Sequence, residues 1–158
     1  MESEIQILKQ QIASDNWEIN LSAADRLGDI GTDESVQPLL DNLKSDDNFK
    51  RNAAALGLMR TKNQKYFDSL MNRIKELGPD EDRGTLVFAL EAFDCSSNLY
   101  DIVDLYLNGN AEVRMGTTTI LNDQKFKLTR KEIKRVSDLL HRFNYSLDGF
   151  KISYEITD

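Results

Sequence analysis

The sequence is poor in the residue types on which many catalytic and metal sites depend. Among its 158 residues there is one cysteine, Cys95, and one histidine, His141. A lone cysteine cannot form an intrachain disulfide, and one histidine with no cysteine cluster gives no structural zinc set. Cys95 follows an apolar stretch, which predicts a buried and inert thiol. We therefore expect no cofactor, no metal and no catalytic residues, so that the protein is not an enzyme.

Proline, glycine and long apolar runs are also scarce. The 2 prolines and 8 glycines favour regular helices over disorder. No run approaches the roughly 18 apolar residues of a membrane span. The opening residues, MESEIQILKQQ, lack the basic and apolar regions of a secretory signal. The sequence therefore predicts one ordered domain, residues 1–158, in the cytoplasm and without membrane contact.

Charge of one sign dominates the first third of the chain. The net charge is −7, and residues 1–47 hold 11 acidic against 3 basic side chains. Residues 122–142 are the opposite, with seven Lys/Arg against three acidic residues. Nucleic-acid affinity needs an extended basic surface, which this chain has only locally. The charge pattern argues against nucleic acid and predicts a basic protein partner.

Stretches that repeat one another make up most of the sequence, and each has the pattern of two helices joined by a short turn. They are residues 22–43, 52–74, 86–107, and a diverged fourth unit of 110–121 with 132–140. The alignment makes Leu27, Leu56 and Leu90 equivalent. Repeats of about 30 residues, each with an amphipathic second helix, indicate stacked helix pairs that bury one another.

The two ends of the chain have other patterns. Residues 1–14 suit an N-terminal capping helix, with apolar side chains on one side only, and residues 15–142 hold the repeats. From Phe143 the apolar period changes to two, and it resumes after Asp148-Gly149. This alternation around a two-residue turn predicts a β-hairpin, or otherwise a tail, over residues 143–158.

The repeat residues resemble the HEAT-like repeat family, in particular the short bacterial type also seen in phycobilisome-lyase-like proteins. The family motif is close to D-x-x-VR-x-x-AA-x-AL-G. The first unit offers Ala23, Ala24, Leu27 and Gly28, and the fourth offers the Val-Arg pair at residues 113–114. The second unit fits only with a slide. The resemblance implies an all-α fold: a right-handed α-α superhelix of about four helix pairs.

The same resemblance implies that second helices line a concave binding face. Exposed positions on these helices would then form an acidic ridge, and Trp17 could either pack on the capping helix or anchor a partner. The candidate partner-binding residues are Asp41, Asp68, Asn72, Tyr100, Asp101, Asp104 and Trp17. A plain solvated face explains the ridge residues equally well.

Three classes of function stay open. The leading one is a non-enzymatic module that binds a basic protein, in its sharper form a bacterial immunity protein that neutralises a cationic toxin such as a nuclease. The second is a lyase-like enzyme or enzyme accessory, which rests on the resemblance alone. The third is a nucleic-acid-binding solenoid that uses the basic stretch from Lys125 to Arg135. The oligomeric state is left open.

Overall fold

The computed structural model describes residues 3–158, and the chain divides after Phe93 into two units. The first unit ends with the third repeat's first helix, and the second begins in the turn that follows. Whether the two units unfold together is a separate property, so the expectation that residues 1–158 form one domain stays a prediction. Within residues 3–158, no helix has both the length and the apolar character needed to cross a bilayer.

Six α-helices and two short 3-10 turns build the first unit as the structure describes it. The helices are α1 (Glu4–Gln11), α2 (Trp17–Ile30), α3 (Asp33–Leu43), α4 (Asn48–Thr61), α5 (Phe67–Leu77) and α6 (Gly84–Ala89). The 3-10 turns are Gln64–Tyr66 and Leu90–Ala92. The predicted N-terminal helix is therefore present as α1, and it is followed by the pairs α2–α3 and α4–α5.

Side chains placed just before the helices determine where they begin. The carboxamide oxygen of Asn16 accepts the first-turn N–H groups of α2, and the carboxylate of Asp47 does the same for α4. The Thr32 hydroxyl accepts from Ser35 at the start of α3. These caps satisfy backbone donors that have no partner within the helix. Each cap fixes where the next helix begins, so the turns between the helices stay short.

In the second repeat, the register that the structure shows differs from the sequence alignment. Leu58 is fully buried on α4, as Leu27 is on α2, whereas Leu56 is only half-buried. The equivalent of Leu27 is thus Leu58, 31 positions later, and Val36 and Phe67 show the same spacing. The predicted equivalence of Leu27 with Leu56 was wrong by two positions: leucines at both 56 and 58 and three consecutive alanines, 53–55, permit more than one alignment, and burial distinguishes them.

Small residues let α2 and α4 approach until their backbones touch. A Cβ atom added at Gly57 would lie 2.6 Å from the carbonyl oxygen of Ala24, and one at Gly28 would collide with the carbonyl of Gly57. Any side chain at either position would force the helices apart. The fully buried large side chains of this unit are Leu27, Leu39, Leu58, Leu70, Ile74, Leu86 and Leu90.

Helices and one pair of short strands build the second unit. The elements are α7 (Leu99–Asn108), α8 (Ala111–Asp123), β1 (Phe126–Leu128), α9 (Arg130–His141), α10 (Leu147–Phe150) and β2 (Tyr154–Ile156). The strands pair in parallel, with Phe126 opposite Tyr154 and Leu128 opposite Ile156. Phe126 and Leu128 are buried, and Lys127 between them is exposed. The basic stretch from Lys125 to Arg135 therefore spans β1 and the start of α9.

The predicted C-terminal hairpin over residues 143–158 is wrong. Asn144 adopts a left-handed conformation with φ of 61°, and the N–H of Tyr145 bonds to the carbonyl of Leu140 (3.0 Å), so this segment ends α9 instead of forming a strand. Asp148-Gly149 lies within α10, where Gly149 donates to the Ser146 hydroxyl (3.2 Å). An isolated two-stranded hairpin is only marginally stable, and β2 pairs with β1 instead.

Candidate protein-binding surfaces

The acidic ridge begins on the second helices of the first unit. Asp41 lies on α3, Asp68 and Asn72 lie on α5, and all three side chains are exposed. The carboxylate of Asp41 accepts from the Gln37 amide at 2.9 Å. Asn72 lines a groove of about 290 Å³ between α3 and α5. The predicted second-helix residues of this unit are therefore accessible, with Asn72 in the groove and Asp41 bonded to Gln37, which also lines it.

The charge of this groove is mixed, which differs from the charge predicted for the acidic ridge. Lys44, Arg73 and Glu76 also line it. The Arg73 guanidinium donates to the carbonyl of Leu43 at 3.1 Å and pairs with Glu76 at 3.3 Å. Cations along the groove offset part of the negative field of Asp41 and Asp68. The groove remains polar and open, but acidic only at its rim.

The remaining ridge residues lie on α7 in the second unit. Tyr100, Asp101 and Asp104 are all half-buried, and Asp104 accepts from the Asn108 amide at 3.0 Å. The guanidinium carbon of Arg135 stands 3.7 Å from the centre of the Tyr100 ring. This cation–π contact covers one face of the ring. Tyr100 therefore offers a partner less surface than its sequence position suggested.

Trp17 packs beside an aromatic residue that the sequence reasoning missed. It is the first residue of α2, is 37% exposed, and its ring lies 5.8 Å from that of Phe49 on α4. Phe49 is 62% exposed. The repeat spacing makes Phe49 equivalent to Glu18, a charged residue in the preceding repeat. An exposed phenylalanine where the repeat carries charge is the signal that could have identified it.

Buried polar side chains recur in the first turn of α2 and of α4 and just before α6, and they hold the turns between repeats. They are Asn20, Arg51 and Arg83, spaced 31 and 32 residues apart. Each donates to carbonyl groups at or just beyond the end of an earlier helix: Asn20 to Ile12, Arg51 to Ser45 and Asp46 (3.1 and 3.2 Å), and Arg83 to Ile74 (3.3 Å). Arg51 occupies the arginine of the Val-Arg motif. These bonds satisfy carbonyls that a helix end leaves unpaired.

Aromatic rings line a small, open cavity in the second unit. Its volume is about 220 Å³, and Tyr106, Tyr145 and Phe150 form much of its wall. Phe150 meets each tyrosine edge to face, at centroid distances of 5.2 and 5.1 Å. The cavity is smaller than the usual range for drug-sized ligands. It can accept one apolar side chain.

Cys95 and His141 lie apart from these surfaces. Cys95 is buried, and burial raises the pKa of its thiol to about 12, so the thiol stays neutral near pH 7. His141 is the last residue of α9 and is exposed. Within residues 3–158, no group of three or more His, Cys, Asp or Glu side chains is arranged to hold a metal ion.

The stacked helix pairs, capped turns and buried glycine contact define an all-α helical-repeat protein. The sequence profile of HEAT repeats matches residues 5–91, which is more than half of the chain. The chain belongs to the HEAT repeat family, and this confirms both the predicted family and the all-α fold class. No curated protein matches it. HEAT repeats are in general non-catalytic scaffolds for protein interaction, and the profile does not distinguish a lyase-like subtype.

Proposed function

We propose that this protein is a non-enzymatic binding module and that its partner is a basic protein. The first unit carries 17 acidic against 11 basic side chains, a net charge of −6. This excess of exposed negative charge on an interaction scaffold is the observation that carries the proposal. An acidic surface attracts a cationic partner over several ångströms and speeds their encounter, more strongly at low salt.

The second helices of each unit supply contact residues in this proposal. Asp41, Asp68 and Asn72 present polar groups beside the α3–α5 groove, and Asp101 and Asp104 do so on α7. A partner segment with lysine or arginine side chains could pair with these carboxylates. Rim contacts of this kind set orientation and association rate more than total affinity.

In its sharper form the proposal is a cytoplasmic bacterial immunity protein that neutralises a cationic toxin such as a nuclease. Its support is the acidic charge and the small size of the chain. The nucleic-acid alternative loses support from α9, where Lys134 pairs with Asp138 at 2.7 Å and Arg135 covers Tyr100. No contact or cavity within residues 3–158 favours the lyase-like alternative.

Affinity capture from the native organism tests the proposal. We expect the retained proteins to be basic and to be released as NaCl rises from about 50 to about 500 mM. Asp41→Lys with Asp104→Lys should reduce capture by about tenfold and leave the helical circular-dichroism spectrum intact. The matched control, Glu112→Lys with Asp123→Lys, reverses two exposed acids outside the second helices. Retention of acidic partners only, or capture indifferent to salt, would contradict the proposal.

A further inference from the structure

The turns between repeats meet on one edge of the first unit. We call this surface the inter-repeat edge: turns 12–16, 44–47 and 78–83, with the first residues of α2 and α4. Lys50 on α4 pairs with Asp15 of the first turn at 3.0 Å. Asn48 donates to the Asp82 carboxylate of the third turn at 3.3 Å, and Arg51 donates to the Asp82 carbonyl at 3.2 Å. The three turns therefore form one connected surface.

This edge presents carboxylates to solvent and hides its arginines. Its exposed acidic residues are Asp15, Glu18, Asp46, Asp47, Asp80, Glu81 and Asp82. Arg51 and Arg83 are buried and direct their guanidinium groups at backbone carbonyls. The guanidinium groups lie beneath the surface, and the side chains that a partner meets first are the carboxylates and Lys44. The solvent-facing side of the edge is therefore mainly acidic.

The opposite edge of the same unit shows what a self-compensated surface looks like. There Arg60 forms a two-pronged pair with Asp29 at 2.9 and 3.0 Å, and Lys65 pairs with Asp33. The inter-repeat edge also has ion pairs, Lys50 with Asp15 at 3.0 Å and Arg73 with Asp46 at 3.7 Å. Its seven acidic side chains nevertheless outnumber its four cations, Lys44, Lys50, Arg51 and Arg83, so the edge has a net charge of −3, half of the acidic excess of the first unit.

The second observation is the exposed aromatic pair in the middle of this edge. Trp17 follows the first turn and Phe49 follows the second, and their ring centroids lie 5.8 Å apart. Large aromatic side chains left in water at the surface mark interaction sites more often than isolated apolar residues do. Tryptophan and its neighbours commonly dominate binding energy when a partner covers them.

We propose that the inter-repeat edge docks an arginine-rich or lysine-rich segment of a protein partner. A cationic side chain lies over the Trp17–Phe49 pair, where the ring faces attract it. The neighbouring cations of the segment pair with carboxylates of the flanking turns. This inference rests on the proposed basic partner and adds to it a surface away from the second helices, with aromatic anchors.

Trp17 is the only tryptophan in the chain, so its fluorescence reports on this edge alone. The probe is an N-acetylated octa-arginine peptide that carries fluorescein. We expect a saturable change of Trp17 emission whose midpoint agrees with the peptide's fluorescence anisotropy measured separately. Raising NaCl from about 50 to about 300 mM should weaken the affinity by about tenfold or more, because charge pairs at the surface are screened.

Two matched charge reversals locate the contact. Asp46→Lys with Glu81→Lys changes the edge, and Asp41→Lys with Asp68→Lys changes the groove by the same net charge. We expect the edge variant to lose about tenfold or more in affinity and the groove variant less than about threefold. Phe49→Ala should lose about threefold or more, since it removes half of the aromatic pair.

The outcomes separate this inference from the proposed function. If the peptide binds but Trp17 emission is unchanged, or if the groove variant loses as much as the edge variant, the inference is overturned while a basic partner still stands. If capture from the organism yields no basic protein, the proposed function fails whatever the peptide does. Should the edge double variant misfold by circular dichroism, Phe49→Ala decides alone, because this exposed side chain is not needed for folding.

Discussion

The two units of the chain reach stability by different means. The first repeats every 31 residues between α2–α3 and α4–α5, and the HEAT profile stops at residue 91, just before the division after Phe93. The second contains 10 acidic and 9 basic side chains, a net charge of −1, and it holds the only strands of the described residues. A regular register makes a repeat recognisable from its sequence. The second unit, where the repeats have diverged, keeps its helices but packs them through different contacts.

Packing between helices shows the difference in detail. In the first unit, Gly28 and Gly57 bring two backbones together next to Ala24. In the second, Thr117 occupies on α8 the position that Ala23 has on α2 and is buried; its hydroxyl donates to the carbonyl of Val113 at 2.8 Å. A hydroxyl satisfied within its own helix can be buried at little cost. It occupies volume that an alanine would leave to the neighbouring helix.

The largest effect is expected where the regular packing is densest. Leu58→Asp should unfold the first unit, because an unpaired charge in a close-packed helix contact costs several kcal/mol, comparable to the stability of a whole domain. Far-UV circular dichroism and Trp17 emission would show the loss.

Leu56→Asp is the matched control, two residues away on the same helix. Leu56 is half-buried, so its variant should remain folded, with a urea midpoint lower than that of the wild type. Equal unfolding by both variants would restore the alignment that made Leu56 equivalent to Leu27, and would contradict the 31-residue register.

A smaller effect is expected in the second unit, and it tests the single-domain prediction. Phe126→Ala removes a fully buried ring from β1 and should cost about 3–5 kcal/mol. If residues 1–158 unfold as one domain, the urea midpoint reported by Trp17 in the first unit should fall together with that reported by circular dichroism.

Lys127→Ala is the control for this variant, because Lys127 is the exposed residue of the same strand. It should leave both midpoints near those of the wild type. An unchanged Trp17 midpoint in Phe126→Ala, beside a lowered circular-dichroism midpoint, would show two separately folding units and would refute the single-domain prediction.

Much of the fold could be predicted because its signal is local. Val36, Leu39 and Leu43 recur with helical spacing and are all buried, so the amphipathic second helices follow directly from the sequence. The register of α4 could not be predicted, since leucines stand at both 56 and 58 after three alanines, and two alignments that differ by two positions look alike. The pairing of β1 with β2 joins residues about 28 positions apart, and short apolar alternation does not say which strand is the partner.

The candidate site was only partly accessible to the same reasoning. The ridge residues Asp41, Asp68 and Asn72 could be placed on exposed second-helix positions because helical periodicity distinguishes buried from exposed faces. The Trp17–Phe49 pair could not, since it joins residues 32 positions apart on different helices. The burial of Arg51 was likewise hidden, because arginine is expected at the surface unless its donors are satisfied.

The smallest effect concerns acid sensitivity of the second unit. Hydrogen bonds from the backbone N–H and the hydroxyl of Thr129, at 2.7 and 2.8 Å, hold the pKa of Glu132 below its usual value of 4.5. The folded state therefore binds this proton less tightly than the unfolded state does. The resulting stabilisation is present above about pH 4.5 and is lost as the pH falls through the folded pKa.

Glu132→Gln isolates this contribution, because glutamine keeps the oxygen acceptor of the capping box at the start of α9 but does not ionise. We expect the variant to lose less stability than the wild type between about pH 6 and pH 3, by under about 1 kcal/mol for so exposed a group. Amide exchange of α9 measured across this range reports the difference. Parallel pH profiles for the two proteins would show that acid acts elsewhere, for instance on Asp33 beside Lys65 in the first unit, whose carboxyl pKa is also lowered.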